Sequence, residues 1–108
     1  MWRCTRDRVD QRLQGFFIHM HYVYIIYSTS HQVYYKGETS DILCRLDAHN
    51  HDFSEYTKKK GPWKLVFVEQ HPDRSSALKR EKQIKRLNAR SLVKLLEGES
   101  NLVTKFIP

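Results

Sequence analysis

The chain has 108 residues, a formal charge of +7, and 40% hydrophobic against 29% charged residues, values that fit one globular domain and exclude a disordered or collagen-like polymer. Nothing approaches the roughly 18 uninterrupted apolar residues of a membrane span. The apolar knot Gly15-Phe16-Phe17-Ile18 is too short for a signal-peptide core, and Cys4 and Cys44 give no framework of bridges or metal-ligand spacing, so the expected location is a reducing cytoplasm, with no membrane partner.

In chain order, Tyr22–Tyr27 and Val33–Lys36 are β-branched and aromatic and read as strands. A four-residue hairpin loop, Ser28 to His31, would place Tyr24 directly opposite Tyr35, with loop length setting that register. The plain alternative for both phenols is a half-buried place in the core. A helix is expected from Thr39-Ser40, where hydroxyls cap the first amides and Asp41 favours the positive end. It runs through Ile42, Leu43 and Leu46 to about His49. Arg45 and His49 stand one turn apart on it, as neighbours on one face, and Asp41 can equally serve as the salt-bridge partner of Arg45.

Gly61-Pro62 reads as a turn and Trp63–Glu69 as a third strand. Pro72-Asp73-Arg74-Ser75 leads into a long helical segment that breaks near Asn88, resumes near Ser91 and stops at Gly98. Three strands with a tight first connection predict an α+β fold: a small, largely antiparallel three-stranded sheet flanked by helices.

Two features stand out against this background. Glu81 falls inside the apolar arc formed by Ala77, Leu78, Ile84, Leu87 and Asn88, opposite Lys79, Lys82, Gln83 and Arg86. An inward carboxylate must be paired or hold a cation, since desolvating it alone costs several kcal/mol. An ion pair with Lys85 or Arg45 is the plain reading and a metal the sharper one. The second feature is charge distribution: residues 1–19 carry +2, residues 20–54 carry −2 and residues 55–108 carry +7. A basic half on a small domain is the footprint of a polyanion, although a solvated helix face gives the same composition. Other signals are weak. His19-Met-His21 and His49-Asn-His51 lack a matching second pair for zinc, and Cys44 reads as a small core residue. Glu69 reads as a sheet-edge residue, and the scattered glycines form no phosphate loop.

Together these residues resemble the GIY-YIG nuclease family, most closely its small stand-alone bacterial members. The first motif reads Tyr22-Val23-Tyr24 and the second Tyr35-Lys36-Gly37, followed by Arg45 and His49, by Tyr56-Thr57 before a basic turn, and by Ala77 to Lys85 around Glu81. Tyr22 replaces the first glycine of the family pattern and Lys36 the second isoleucine. The resemblance implies a metal-dependent endonuclease acting on DNA, structured or branched DNA included, with a DNA-repair role and with either a separate protein partner for targeting or relaxed recognition. It implies Tyr35 as general base, Tyr24 as the phenol orienting the water, Arg45 on the scissile phosphate and His49 assisting. Glu81 would hold one divalent cation, Mg²⁺ or Mn²⁺. Lys36, Lys58, Lys59, Lys60, Lys79, Lys82 and Lys85 are the expected nucleic-acid contacts.

A phenol used as base carries a cost, about 4 kcal/mol to ionise at pH 7 from its reference value, which nearby cations reduce. The rivals are a non-catalytic nucleic-acid-binding module of the same fold and a domain whose basic helix docks on an acidic protein. The resemblance spans roughly Met20 to Leu96. The expected boundaries are therefore residues 1–19 as a dispensable extension, 20–98 as the domain and 99–108 as a tail.

Overall fold

The computed structural model describes residues 20–51 and 56–106; the expectation that residues 1–19 are dispensable lies outside them. Three antiparallel strands, β1 (His21–Ser28), β2 (Val33–Thr39) and β3 (Trp63–His71), form one sheet in the order β2-β1-β3. Helix α1 (Ile42–Asn50) follows β2, while α2 (Arg74–Lys85) and α3 (Ala89–Glu97) follow β3. The fold is α+β, as the composition of the segments predicts.

Strand alternation divides the core in two. Val23, Ile25 and Phe67 meet Ala77 and Ile84 of α2 and Leu92 of α3 on one face. Tyr24, Ile26, Leu65 and Val68 meet Trp63 and Ile42 on the other, with Leu46 of α1 packed alongside. The central strand is therefore buried on both sides, which explains its continuous apolar run rather than a clean alternation.

The hairpin register differs from the expected one. Ser28 pairs with Val33, so the turn is Thr29–Gln32, with Gln32 in the left-handed region (φ 53°) and its amide donating to the Ser28 carbonyl at 2.7 Å. Tyr24 consequently faces Gly37, and Tyr35 faces Ile26. The slip equals the two-residue period of a strand, so Tyr24 and Tyr35 keep a common face and become diagonal neighbours, with ring centroids 6.4 Å apart.

The helix caps are side chains of the expected class, at one shifted position. Asp41, rather than Thr39 or Ser40, caps α1 by accepting from the Cys44 amide, and Cys44 is not a free thiol. Asp73 caps α2 through the Ser76 amide, and that hydrogen bond lowers the pKa of its carboxyl. Asn88 caps α3, and Gly98 ends it.

Residues after Gly98, expected as a tail, return to the sheet. The Asn101 side chain accepts from the Val68 amide and donates to the Val66 and Leu96 carbonyls. That anchor seats Leu102, Val103 and Phe106 against the second core cluster, with the Phe106 ring 5.5 Å from Tyr22.

Candidate active site

The closest polar cluster gathers on the α1 side of the sheet. Tyr24 is 2% exposed, and its ring crosses Gly37 closely, so that an added Cβ would stand 2.5 Å from the hydroxyl. A side chain at position 37 would therefore evict the phenol. Gly37 serves here through close approach, its backbone lying outside the left-handed region.

The Tyr24 hydroxyl sits 2.8 Å from His49 Nε2 and accepts from Arg45 Nε at 3.4 Å. His49, fully buried, reaches Thr57 Oγ1 at 2.7 Å through its other ring nitrogen. Helical spacing explains why Arg45 and His49 of α1 converge on one strand phenol. Burial raises the pKa of the Tyr24 phenol well above its ordinary value, even against the hydrogen bond and charge of Arg45. Burial, helped by the Arg45 charge, pushes His49 down to about 4. At neutral pH the phenol is therefore protonated and the imidazole neutral. The consistent assignment of protons has Tyr24 donating to Nε2 and Nδ1–H donating to Thr57.

Tyr35, half-buried, borders this chain with its ring 5.0 Å from His49 and 5.4 Å from Tyr56. Burial works against the charge of Arg45, but the phenols of Tyr24 and Tyr35 outweigh it and raise the guanidinium pKa. The side chain is thus a fixed cation between the two tyrosines.

Glu81 projects from α2 with its side chain 15% exposed and its carboxylate 2.8 Å from Lys85 Nζ. Its charge reaches the Tyr24 phenol, and that of Lys85 reaches Tyr35. The ion pair weighed against a metal role is thus present. Two other carboxylates on the sheet are more heavily committed. Glu38 holds His21 at 2.7 Å and Arg74 at 3.5 Å, and Glu69 holds His71 at 2.8 Å and Arg80 at 2.9 Å.

No group of three or more His, Cys, Asp and Glu ligands occurs among the described residues. A single carboxylate suits a hard cation that completes its shell with water and phosphate oxygens. Glu81 carries one ion pair, to a lysine whose side chain is 54% exposed.

The expected lysines lie on three parts of the fold: β2, the turn before β3, and α2. Lys58 and Lys59 are exposed on the turn before β3, and Lys60 places its ammonium 4.1 Å from the centre of the Tyr56 ring. Lys79 and Lys82 are exposed on α2, where Lys85 pairs with Glu81. Lys36 is half-buried and alternates to the face opposite Tyr35.

Thr57, quoted in the motif order, is the residue of this cluster to which sequence reasoning gave no role. A threonine before a lysine run carries no charge or periodicity signal. Its adjacency to Tyr56 in the motif order was the one available clue.

Residues 20–94 match the GIY-YIG catalytic domain family. A UPF0213 protein of Staphylococcus haemolyticus is 33% identical over 78 residues, covering 71% of this chain and 94% of its own length. One from Clostridium perfringens is 34% identical over 82 residues, covering 75% and 87%. The solution NMR structure of a UPF0213 protein from Bacillus halodurans superposes with a TM-score of 0.50 at 27% identity, covering 82% of this chain and 94% of that one. No helix among the described residues is long and apolar enough to cross a membrane.

Proposed function

The chain belongs to the GIY-YIG nuclease family, and from that membership we propose that it is a metal-dependent endonuclease hydrolysing DNA phosphodiester bonds. The observation carrying this reading is the hydrogen-bonded series Arg45–Tyr24–His49–Thr57 beside Tyr35, with the Glu81 charge bearing on the same phenol.

Arg45 grips a non-bridging phosphate oxygen and offsets the charge that grows as water adds to phosphorus. Tyr35 takes the proton of the attacking water while a new P–O bond forms and the bond to the leaving sugar oxygen breaks. Tyr24 is unsuited to that base role, since burial keeps it protonated at neutral pH. With its proton given to His49 Nε2, it orients the water as an acceptor through its remaining lone pair. His49, neutral at pH 7, relays between Tyr24 and Thr57 without adding charge. Glu81 would hold Mg²⁺ or Mn²⁺. When bound, that ion supplies Lewis-acid stabilisation of the phosphate and leaving oxygen.

One observation favours the rival reading, a module that binds nucleic acid without cutting it. The Glu81 carboxylate is already matched by Lys85 at 2.8 Å. Incubation with supercoiled plasmid and branched DNA, in Mg²⁺ or EDTA, separates the two. Nicking in Mg²⁺ that EDTA abolishes supports the nuclease; retention of DNA without any cutting supports the binding module.

A further inference from the structure

We propose that the Tyr56–Lys60 turn is a subsite for one unpaired DNA nucleotide beside the scissile phosphate, its base on the Tyr56 ring and its flanking phosphate on Lys60. The proposal rests on the phosphodiesterase reading and adds to it the form of DNA that the site prefers.

Tyr56 is 53% exposed, one of two large hydrophobic residues in the open among those described; the other, Val93, lies on α3. Its ring extends the aromatic series of the site, 5.4 Å from Tyr35 with the planes 33° apart. The turn that carries it is anchored from below. Thr57 is fully buried against His49, and its carbonyl accepts from the Trp63 indole at 3.1 Å and from the Lys60 amide at 3.2 Å. The Lys60 carbonyl accepts from the Ser28 hydroxyl at 2.5 Å and from Ser30 at 3.3 Å, tying the turn to the β1–β2 hairpin. Lys59 completes the turn in the left-handed region, φ 61°, which a side chain adopts only when its surroundings hold it there.

An aromatic ring held out in water on an anchored turn, beside a lysine, is the combination that takes single-stranded nucleic acid: the ring stacks a base and the cation follows the backbone. A base inside a duplex has both faces covered by its neighbours, so only one out of the stack offers a face to Tyr56. Lys60 now rests 4.1 Å from the ring centre. Base stacking on an aromatic ring outweighs an exposed cation–π contact, so a base displaces the ammonium, and the flexible stem carries it to the adjacent phosphate. A cleft of about 340 Å³ lined by Asn50, Lys59, Gly61 and Pro62 flanks the same turn and gives room for the neighbouring sugar.

The test is binding in EDTA, which keeps the readout separate from cutting. A fluorescein-labelled single-stranded oligodeoxythymidine and a blunt duplex of equal length are titrated with wild type, Tyr56→Ala, Tyr56→Leu and Tyr56→Phe. Tyr56→Ala and Tyr56→Leu should each weaken the single strand about tenfold while duplex affinity changes less than about twofold, and Tyr56→Phe should bind as wild type. Leucine keeps the apolar bulk, so a loss shared by both variants reports the missing aromatic face rather than a damaged turn. Equal losses on both DNAs, or none on the single strand, overturn the subsite. A wild type that binds the single strand but nicks nothing in Mg²⁺ defeats the nuclease reading, and with it the placement beside a cut bond.

Discussion

Gly37→Ala is the sharpest test of how the site is built. An added Cβ would stand 2.5 Å from the Tyr24 hydroxyl and 2.7 and 2.9 Å from two ring carbons, well inside contact distance. The ring has nowhere to go: it is 2% exposed and tied to His49 and Arg45. Replacing a strand glycine by alanine ordinarily stabilises by about 0.5–1 kcal/mol. Here overpacking costs about 1–3 kcal/mol, and losing the Tyr24–His49 hydrogen bond adds roughly 1 kcal/mol. The net expectation is a loss of about 1–3 kcal/mol, which lowers Tm by roughly 5–15 °C for a domain of this size. Activity should fall further than stability explains, because the phenol leaves its place between His49 and Arg45. Gly98→Ala is the control: its nearest atom is a backbone oxygen at 3.4 Å, so both melting and cutting should stay near wild type. Differential scanning fluorimetry and plasmid nicking read the two effects. A Gly37→Ala protein that melts and cuts like wild type refutes the packing of Tyr24 over Gly37.

Tyr35→Phe should lower the cutting rate by about 100-fold or more, whereas Tyr34→Phe, whose ring packs on Tyr27 on the opposite face, should change it little; equal losses would make the effect structural. Stability should fall on acidification. His49 titrates near 4 when folded against 6.5 unfolded, so the unfolded chain binds the proton first, and stability is full above about 6.5 and lost as pH falls towards 4. That loss is on the order of 3 kcal/mol, and urea melts of wild type and His49→Gln should show it shrinking in the variant; an equal loss in both assigns it to other groups. Neutralising Lys58, Lys59 and Lys60 together should weaken duplex binding and flatten the salt dependence by about 0.9 in log–log slope per lost phosphate contact; an unchanged slope moves the DNA track to α2.

The elements were legible because composition and caps act locally. The β-branched and aromatic runs give three strands, and Asn88 and Gly98 bound α3 where sequence places the break and the stop. The inward placement of Glu81 was legible because a carboxylate on an apolar arc contradicts its own helix. The register was not, because it depends on Gln32 entering the left-handed region and on Tyr24 lying over Gly37, both tertiary outcomes. Asn101 and Thr57 were hidden for a related reason. Each is a small polar residue whose importance comes only from the backbone or imidazole that folding brings to it.

The most direct measurement is the cutting rate of Glu81→Gln beside wild type across a Mg²⁺ titration, with Tm recorded in parallel. Glutamine keeps the shape of the side chain and removes its charge. The lost ion pair with Lys85 is worth only about 0.5 kcal/mol, so Tm should shift by less than about 4 °C. The account predicts a folded variant that binds DNA and has lost Mg²⁺-dependent cleavage. Cleavage at the wild-type rate, with the same Mg²⁺ dependence, would remove Glu81 from the site and contradict the single-carboxylate centre.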